Sequence, residues 1–317
     1  MLADKVVKSS LRAAYGETLV ELGQQNPNIV VLDADLSCST QTMKFAKAFP
    51  ERFFNIGIAE QDAVCVAAGL STCGKIPFIS TFAMFATGRA WEQVRNSVAY
   101  PKFNVKIVAT HGGITVGEDG ASHQALEDIG IMRSIPNMVV IVPADSIETR
   151  EVIKFAAHYK GPVYVRVARS AVPEIFVKDN YSFDFTKARV LVEGIDVTLA
   201  ANGETVHEAL KCAKILADKG IIAEVINVPV VKPLDENTII NSVRKTGAIL
   251  TIENHSVIGG LGSAVAECLS EKYPTIMKRV GINDQFGQSG KDTQLMAEYG
   301  LIAEKFVDEV IELIKKK

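Results

Sequence analysis

Hydrophobic and polar positions alternate along the chain with two different periods. The first stretch has helical spacing, carried by four residues on one face: Leu11, Tyr15, Thr18 and Leu22. Apolar runs and helical patterns follow, and the predicted elements are a strand at 29–35, a helix at 60–72, a strand at 77–81, a helix at about 83–99 and a strand at 105–110. Short strands separated by helices predict an α/β fold with a doubly wound, mostly parallel sheet.

The alternation stops at residues 170–187, which we interpret as a linker. It resumes after residue 188, where the predicted elements are strands at 196–201, 221–228 and 248–254 and helices at 205–220, 236–247, 261–273 and 295–317. The chain is long enough for two domains. We therefore expect a first domain at 1–169 and a second, smaller α/β domain at 188–317.

Composition and charge narrow the function classes. Hydrophobic residues make up 48% of the 317 positions and charged residues 22%, as in globular proteins with well-formed cores. The 34 basic and 37 acidic residues leave no excess of positive charge, which gives no indication of binding to nucleic acid or to an anionic membrane. No apolar run reaches transmembrane length, and residues 1–10 lack the apolar core of a signal peptide, so we expect a cytoplasmic protein.

The cysteines form neither a metal-binding nor a disulfide pattern. There are five of them, at Cys38, Cys65, Cys73, Cys212 and Cys268. No pair has metal-ligand spacing, and the odd count argues against a disulfide framework. Cys65 and Cys73 lie among alanine, valine and glycine residues, so we expect both in the core.

The segment 111–123, HGGITVGEDGASH, is the strongest candidate for a site. It holds four glycines, two acids and two of the five histidines, directly after a predicted strand. Ligands of parallel sheets bind beyond the carboxyl ends of the strands, and glycine lets the backbone approach a ligand closely. His111, Asp119 and His123 are therefore candidate site residues.

Other candidates also lie at the ends of predicted strands. Phe82 and Phe85 occur where a strand runs into a helix, so they form either core or an aromatic wall for a flat ring. Glu60 begins a small apolar helix, a place where the helix dipole alone favours an acid. The remaining polar candidates lie at element starts or strand ends: Arg12, Asp35, Ser37, Ser39, Arg166 and Arg169. The arginines of this set suit phosphate recognition.

One glycine-rich segment lies outside this group. Residues 255–265, HSVIGGLGSAV, follow a strand and open a helix. They match neither the dinucleotide-binding pattern G-x-G-x-x-G nor the phosphate-binding loop with its lysine. We interpret them as a tight turn at a helix start.

Taken together, the motifs resemble the transketolase family. FFNIGIAEQDAV, FISTFAMF, THGGITVGEDGASHQALEDIGIMRSIPNMVVIVPAD and YVRVARS resemble its pyrimidine-binding domain, whereas ILTIENHSVIGGLGSAVAE and GINDQFGQSG resemble its C-terminal domain. The resemblance runs in order over nearly the whole chain. It implies thiamine diphosphate-dependent transfer of a two-carbon ketol unit from a ketose phosphate to an aldose phosphate, as in the pentose phosphate pathway.

The resemblance also implies a role for each matching residue. The residues that match the cofactor site are Glu60, Phe82, Phe85 and Asp35, with Glu60 as the acid that hydrogen-bonds N1′ of the aminopyrimidine. The residues that match the binding site for the sugar phosphate are Arg12, Ser39, His111 and Arg169. The matching catalytic residues are Glu60, His111, Asp119 and His123, where Asp119 reads a substrate hydroxyl. A further aromatic that many relatives carry after the second phenylalanine is replaced here by the run from Ala86 to Arg89.

One part of the family pattern is missing. Family members hold Mg²⁺ and the diphosphate with a G-D-G motif followed by an asparagine, and this sequence contains no G-D-G. The resemblance therefore implies the C-terminal subunit of a split transketolase. A separate N-terminal subunit would hold Mg²⁺ and the diphosphate, and this chain itself would supply no metal ligand. A homodimer of such chains within an α2β2 assembly is the expected form.

Two other interpretations stay open. The chain could be the β subunit of a 2-oxoacid dehydrogenase or part of a 1-deoxyxylulose-5-phosphate synthase, because GIAEQ is shared with the synthase. Against this, GGITVGEDGASHQ after His111 resembles transketolase. The chain could also be a non-catalytic, dimerising scaffold, in which Glu60, the two phenylalanines and the two histidines would be dispensable.

Overall fold

A computed structural model of the chain describes residues 7–317. Residues 1–6 of the predicted first domain lie outside the described residues. The elements before residue 170 are β1 Lys8–Ser10, α1 Leu11–Gln25, β2 Ile29–Asp33, α2 Ser37–Thr40, α3 Met43–Ala48, β3 Phe53–Asn55, α4 Glu60–Thr72, β4 Ile76–Phe82, α5 Trp91–Gln93, β5 Lys106–Thr110, α6 Asp128–Ser134, β6 Val139–Ile141, α7 Ser146–His158 and β7 Val163–Val167.

A second set of elements follows residue 170. These are β8 Ala171–Pro173, β9 Arg189–Val192, β10 Val197–Ala201, α8 Thr205–Ala217, β11 Ala223–Asn227, β12 Val230–Lys232, α9 Glu236–Thr246, β13 Ala248–Ser256, α10 Leu261–Lys272, β14 Ile276–Ile282, α11 Asp292–Glu298 and α12 Ala303–Ile314. Among residues 7–317, no helix has the length and apolar character needed to cross a lipid bilayer.

Two mostly parallel sheets organise these elements, which confirms the predicted fold class. The seven-stranded sheet has the order β12-β6-β7-β5-β4-β2-β3, and the five-stranded sheet has the order β14-β13-β10-β11-β9. Only one edge strand in each, β12 and β9, pairs antiparallel to its neighbour within the described residues. β12 follows β11 in the chain, so the larger sheet takes its edge strand from the region predicted as the second domain.

The first helix shows how the sequence pattern sets the packing. The Ser10 hydroxyl accepts a hydrogen bond from the Ala13 N–H and so caps α1. The predicted face of the helix is confirmed, because four side chains are at most 4% exposed: Leu11, Tyr15, Thr18 and Leu22. They pack against one face of the larger sheet, while α4 covers the other face with small residues such as Ala63 and Ala67.

Three local predictions are wrong. The helix at 83–99 is interrupted, because π-helical turns at Phe85–Arg89 and Val94–Ala99 flank the short α5. The helix at 295–317 breaks at Gly300, which has φ +71° and separates α11 from α12. Cys65 and Cys73 are exposed. α4 turns Ala63 and Ala67 towards the sheet, which leaves Cys65 on its outer side, and Cys73 follows the end of the helix.

The segment predicted as a linker, 170–187, is fastened to the first part of the chain. Its strand β8 pairs antiparallel with β1. Further along, the Tyr181 hydroxyl donates to the Glu148 carboxylate at 2.5 Å, and Phe185 stacks on Phe155 with ring centroids 4.7 Å apart. The linker therefore packs as an ordered strap on α7.

Candidate active site

The carboxyl ends of five neighbouring parallel strands converge on one edge of the larger sheet. These strands are β7, β5, β4, β2 and β3, which are adjacent in the sheet order. Arg169, His111 and Phe82 lie at or just beyond the ends of β7, β5 and β4. Asp35 follows β2, and Glu60 follows β3 across a short turn. Strand order therefore gathers residues that are far apart in sequence.

Glu60 is the first residue of α4 and is 2% exposed. The turn that precedes it contains Gly57, whose φ of +76° favours glycine. Arg89 donates from Nη1 to both carboxylate oxygens of Glu60, at 3.0 and 2.8 Å. A buried carboxylate is thus paired with an arginine whose side chain is 46% exposed and open to rearrangement.

An aromatic cluster lies beside this ion pair. The Phe82 and Phe85 rings are 6.0 Å apart between centroids, with 19° between their planes. The Arg89 guanidinium lies 4.5 Å from the centroid of Phe85, so the same arginine bridges Glu60 and the aromatic wall. Phe82 also stacks on His111, with ring centroids 3.8 Å apart. The rings of His123 and Phe85 meet edge to face, with centroids 5.4 Å apart.

Arg12, Ser39 and Arg169 form a basic group next to His111. The Arg12 side chain donates to the Ser39 carbonyl at 2.6 Å and to the Arg169 carbonyl at 3.1 Å. Burial and the neighbouring charge of Arg169 both lower the pKa of Arg12. Because two like charges are held close together here, a bound anion would be stabilised between them.

The loop that carries Ser39 is shaped by the buried Asp33 at the end of β2. The Asp33 carboxylate accepts hydrogen bonds from the Leu36 N–H and from the hydroxyls of Thr40 and Thr42. Asp35 is exposed and has φ +61°. The Asp35 carboxylate accepts a hydrogen bond from the Asn55 side-chain nitrogen at 2.9 Å. The Asp35 N–H donates to the Asn55 side-chain oxygen. Asp35 is therefore anchored between β2 and β3.

His111 has a strained backbone at the start of the glycine-rich segment. Its φ is +63°, an uncommon conformation for a residue other than glycine. Burial, followed by the charges of Arg12 and Arg169, lowers the pKa of His111 to about 3. The imidazole is therefore neutral at physiological pH, and Nδ1 shares a hydrogen bond with the Thr110 hydroxyl at 2.8 Å.

The later part of the same segment is more open. Asp119 is exposed and His123 is half-buried. Glu118, which precedes Asp119, lies 3.4 Å from Arg169. The structure thus brings His123 to the aromatic cluster, and it leaves Asp119 on the exposed part of the loop.

One sequence candidate, Arg166, and the glycine-rich turn at 255–265 lie outside this site. Arg166 is 5% exposed, and its side chain binds Asp128 at 2.9 Å and the carbonyls of Ala125 and Asn254. It is a buried structural cation and not an available phosphate ligand. The turn at 255–265 is confirmed as a helix start, because the Glu253 carboxylate accepts from the first N–H groups of α10.

The residue that sequence reasoning missed is Arg89. In the sequence it belongs to the run from Ala86 to Arg89, which takes the place of a further aromatic. Its signal was present in the sequence, since a cation four positions after Phe85 lies near the same face of the helix predicted at 83–99. Its partner Glu60 lies 29 positions away, and that contact depends on the tertiary fold.

Comparison with known proteins identifies the family. The transketolase pyrimidine-binding domain matches residues 7–174, and the transketolase C-terminal domain matches residues 186–306. The chain belongs to the transketolase family. This confirms the resemblance seen in the motifs, which run through both matched regions.

Individual relatives are similar over nearly the full length. A putative transketolase C-terminal section of Methanocaldococcus jannaschii is 54% identical, with 98% of each chain covered. The 6-deoxy-6-sulfo-D-fructose transketolase subunit of Clostridium sp. strain MSTE9 is 44% identical, with 99% of this chain and 97% of that protein covered. A solved structure of a split gene transketolase, described as an inactive beta4 tetramer, is 56% identical with a TM-score of 0.90, covering 96% of this chain and 98% of that one.

The transketolase family depends on thiamine diphosphate, and the residues at the strand ends fit the pyrimidine half of that cofactor. A carboxylate offers about four lone-pair positions, so Glu60 can accept another donor beside the single nitrogen of Arg89. The nearly parallel Phe82 and Phe85 rings offer apolar surface to a flat ring.

Proposed function

We propose that this chain is one subunit of a thiamine diphosphate-dependent transketolase. The reaction would move a two-carbon ketol unit from a ketose phosphate to an aldose phosphate, as in the pentose phosphate pathway. The observation that carries the proposal is the buried carboxylate of Glu60, which lies at a strand end in one continuous cluster with Arg89 and the Phe82–Phe85 wall.

Glu60, Phe82, Phe85 and Asp35 would hold the pyrimidine half of the cofactor. Glu60 would share a proton with ring nitrogen N1′, and the two phenylalanines would contact the ring. When bound, thiamine diphosphate supplies the nucleophilic carbon that the reaction needs. The contribution of this chain is to fix the proton at Glu60 and to keep water from the ring with the aromatic wall.

Arg12, Ser39, His111 and Arg169 would bind the substrate phosphate. The proposal rests on the Arg12 guanidinium, which donates to the Ser39 and Arg169 carbonyls, on the neighbouring charge of Arg169, and on the neutral imidazole of His111 beside them. Holding the phosphate fixes the position of the reacting carbons at the other end of the sugar. His111, His123 and Asp119 would hydrogen-bond substrate hydroxyls, where the half-buried His123 is the candidate for proton transfer.

The proposed assembly includes a second kind of chain. A separate N-terminal subunit would bind Mg²⁺ and the diphosphate, and two copies of each subunit would form a cytoplasmic α2β2 enzyme. The inactive beta4 tetramer of the 56%-identical relative supports the need for a partner. We also propose that residues 1–169 and 188–317 are the pyrimidine-binding and C-terminal domains, joined by the linker 170–187.

The decisive experiment compares the chain alone with the chain co-purified with its N-terminal partner. Ketol transfer between sugar phosphates and a pyruvate-dependent reaction are assayed side by side in the presence of thiamine diphosphate and Mg²⁺. We expect ketol transfer by the complex and none by the single chain. Activity only with pyruvate, or tight Mg²⁺-dependent cofactor binding by the chain alone, would refute the proposal.

A further inference from the structure

The carboxyl edge of the five-stranded sheet is filled by a loop from the first part of the chain. In open α/β sheets this edge is the usual place for a ligand. Here the segment 112–120 lies against residues at the ends of three neighbouring strands: Glu204 after β10, Asn254 near the end of β13, and Ser289 and Gly290 after β14. The segment is part of the loop that carries His111, Asp119 and His123.

Asn254 makes the central contacts and is 3% exposed. Its side-chain oxygen accepts a hydrogen bond from the Ile114 N–H at 3.0 Å. Its side-chain nitrogen donates to the Thr115 hydroxyl at 3.2 Å and to the Glu204 carboxylate at 2.5 Å. The Thr115 hydroxyl in turn donates to Glu204 at 2.8 Å, so one amide and one carboxylate hold two consecutive loop residues.

The loop approaches this edge more closely than a side chain would allow. Gly113 has φ +82°, and a Cβ atom built there would lie 2.4 Å from the Asn254 side-chain nitrogen. A Cβ atom at Gly120 would lie 2.6 Å from the Ser289 hydroxyl. Two of the four glycines in the motif are therefore explained by contact with the second sheet, without any ligand.

The far end of the loop is held in a similar way. The Gln124 side-chain nitrogen donates to the Ile114 carbonyl and to the Gln288 carbonyl, both at 3.0 Å. Ile114 is thus bound through its N–H by Asn254 and through its carbonyl by Gln124. His111 and His123 lie at either end of the span that these contacts fix.

We propose that Asn254 is a positioning residue that holds the substrate-binding loop from the C-terminal domain. The inference rests on the proposed function of that loop. The strained φ of His111 persists only if its surroundings determine it, and Asn254 fixes the backbone three residues further on. The C-terminal domain thereby acts on a site to which Asn254 itself contributes no atom.

The test uses the assembled complex and three variants. Asn254→Ala removes the clamp. Thr115→Val, at nearly constant volume, removes the hydrogen bonds of the Thr115 hydroxyl to Asn254 and Glu204 and keeps the Asn254 contact with the Ile114 N–H. Glu267→Ala is the matched control, because Glu267 pairs with Arg133 across the same two parts of the chain, at 2.9 and 2.5 Å, away from the loop. Amide hydrogen exchange of residues 112–117 is measured together with KM and kcat for sugar phosphates.

For Asn254→Ala we expect faster exchange at Ile114 and a loss of kcat/KM of roughly 10- to 100-fold, as small displacements of positioning groups cause. Thr115→Val should also speed exchange at Ile114 and lower kcat/KM, by a smaller amount. If Asn254→Ala does not fold, Thr115→Val alone tests whether Asn254 positions the loop. Unchanged exchange and kinetics, or an equal change in Glu267→Ala, would overturn the inference. If the wild-type complex shows no ketol transfer, the proposed function fails, whereas the exchange data still decide whether Asn254 holds the loop.

Discussion

The two parallel sheets end in similar edges but use them differently. At the edge of the seven-stranded sheet, polar side chains such as Ser39, His123 and Arg169 are only partly buried. At the edge of the five-stranded sheet, Glu253 and Asn254 are almost fully buried and bind backbone N–H groups. One edge leaves part of its polar atoms unburied, as the proposed site requires, and the other uses them to hold the protein together.

This difference shows that a strand-end position alone does not identify a site. The glycine-rich turns at 111–123 and 255–265 both follow strands, yet in the second the helix N–H groups already bind Glu253. The proposed site differs in its surroundings: the buried Glu60 and His111 have partly exposed cations and a histidine beside them, namely Arg89, Arg169 and His123. Variants of matched residues at the two edges should therefore separate effects on activity from effects on stability.

The largest expected difference concerns the two buried carboxylates. Glu60→Ala, assayed in the complex with its partner, should lower the rate of ketol transfer by about 10²–10⁴-fold, the usual contribution of a positioned proton-transfer group. Its effect on thermal unfolding should be small, because the partner Arg89 is already 46% exposed and can be solvated. Initial rates and melting curves of the same preparation provide both measurements.

Glu253→Ala is the control for this prediction. Two N–H groups of α10 would lose their acceptor, at a cost of about 1–3 kcal/mol each in the free energy of unfolding. The folded complex should retain ketol transfer. A Glu60→Ala complex with normal activity, or a Glu253→Ala complex that is stable but inactive, would reverse the assignment of the two edges.

Two arginines three positions apart, Arg166 and Arg169, provide a second comparison between a structural residue and a proposed site residue. Arg166→Met leaves the buried Asp128 carboxylate without its cation and should destabilise the protein by about 3–5 kcal/mol. Arg169→Ala should leave stability nearly unchanged and raise KM for phosphorylated sugars roughly 10- to 100-fold, the value of a charged hydrogen bond. Urea unfolding and steady-state kinetics measure the two effects, and a raised KM without destabilisation in Arg166→Met would contradict the assignment.

A third prediction concerns the pH dependence of stability. Burial raises the pKa of Glu148 to about 7 from an ordinary value near 4.5. The folded state therefore favours the protonated form, and this contribution is present below pH 4.5 and lost as the pH rises through 7. Compared with Glu148→Gln, the wild type should lose on the order of 2–3 kcal/mol between pH 5 and pH 8.

Urea unfolding at the two pH values measures this loss. Glu151→Gln serves as the control, because Glu151 lies on the same helix but pairs with Lys154 at the surface. The prediction is wrong if Glu148→Gln and Glu151→Gln show the same dependence on pH.

Local sequence patterns predicted much of the framework. The periodicity of residues 11–22 and the turn before Glu60 depend on neighbours along the chain, so the faces of α1 and the start of α4 were predicted correctly. The π-helical turns after Phe85 and the break at Gly300 were not, because a π turn changes the spacing of a helix without a distinctive residue. Exposure of Cys65 was missed because small residues fit either face of a helix.

The candidate site was predicted only in part, because its residues lie in local motifs but some of its contacts join distant parts of the chain. The residues with recognisable motifs were named, and strand order brings Phe82, Phe85, His111 and His123 into contact. The pairing of Arg89 with Glu60 and the clamp on Ile114 by Asn254 were missed. These contacts span 29 and 140 positions, so only the tertiary structure brings the partners together.

The smallest expected effect is on the shape of a pH profile. With a pKa of about 3, His111 stays neutral from pH 5 to pH 8, so it cannot cause an inflection in kcat/KM over that range. His111→Asn should therefore lower kcat/KM for sugar phosphates through lost contacts while leaving every inflection in place. His123→Asn, measured in parallel, is the matched variant at the more open end of the loop. An inflection that disappears only in His111→Asn would mean that partner binding exposes His111, and the open edge would then differ in the assembled enzyme.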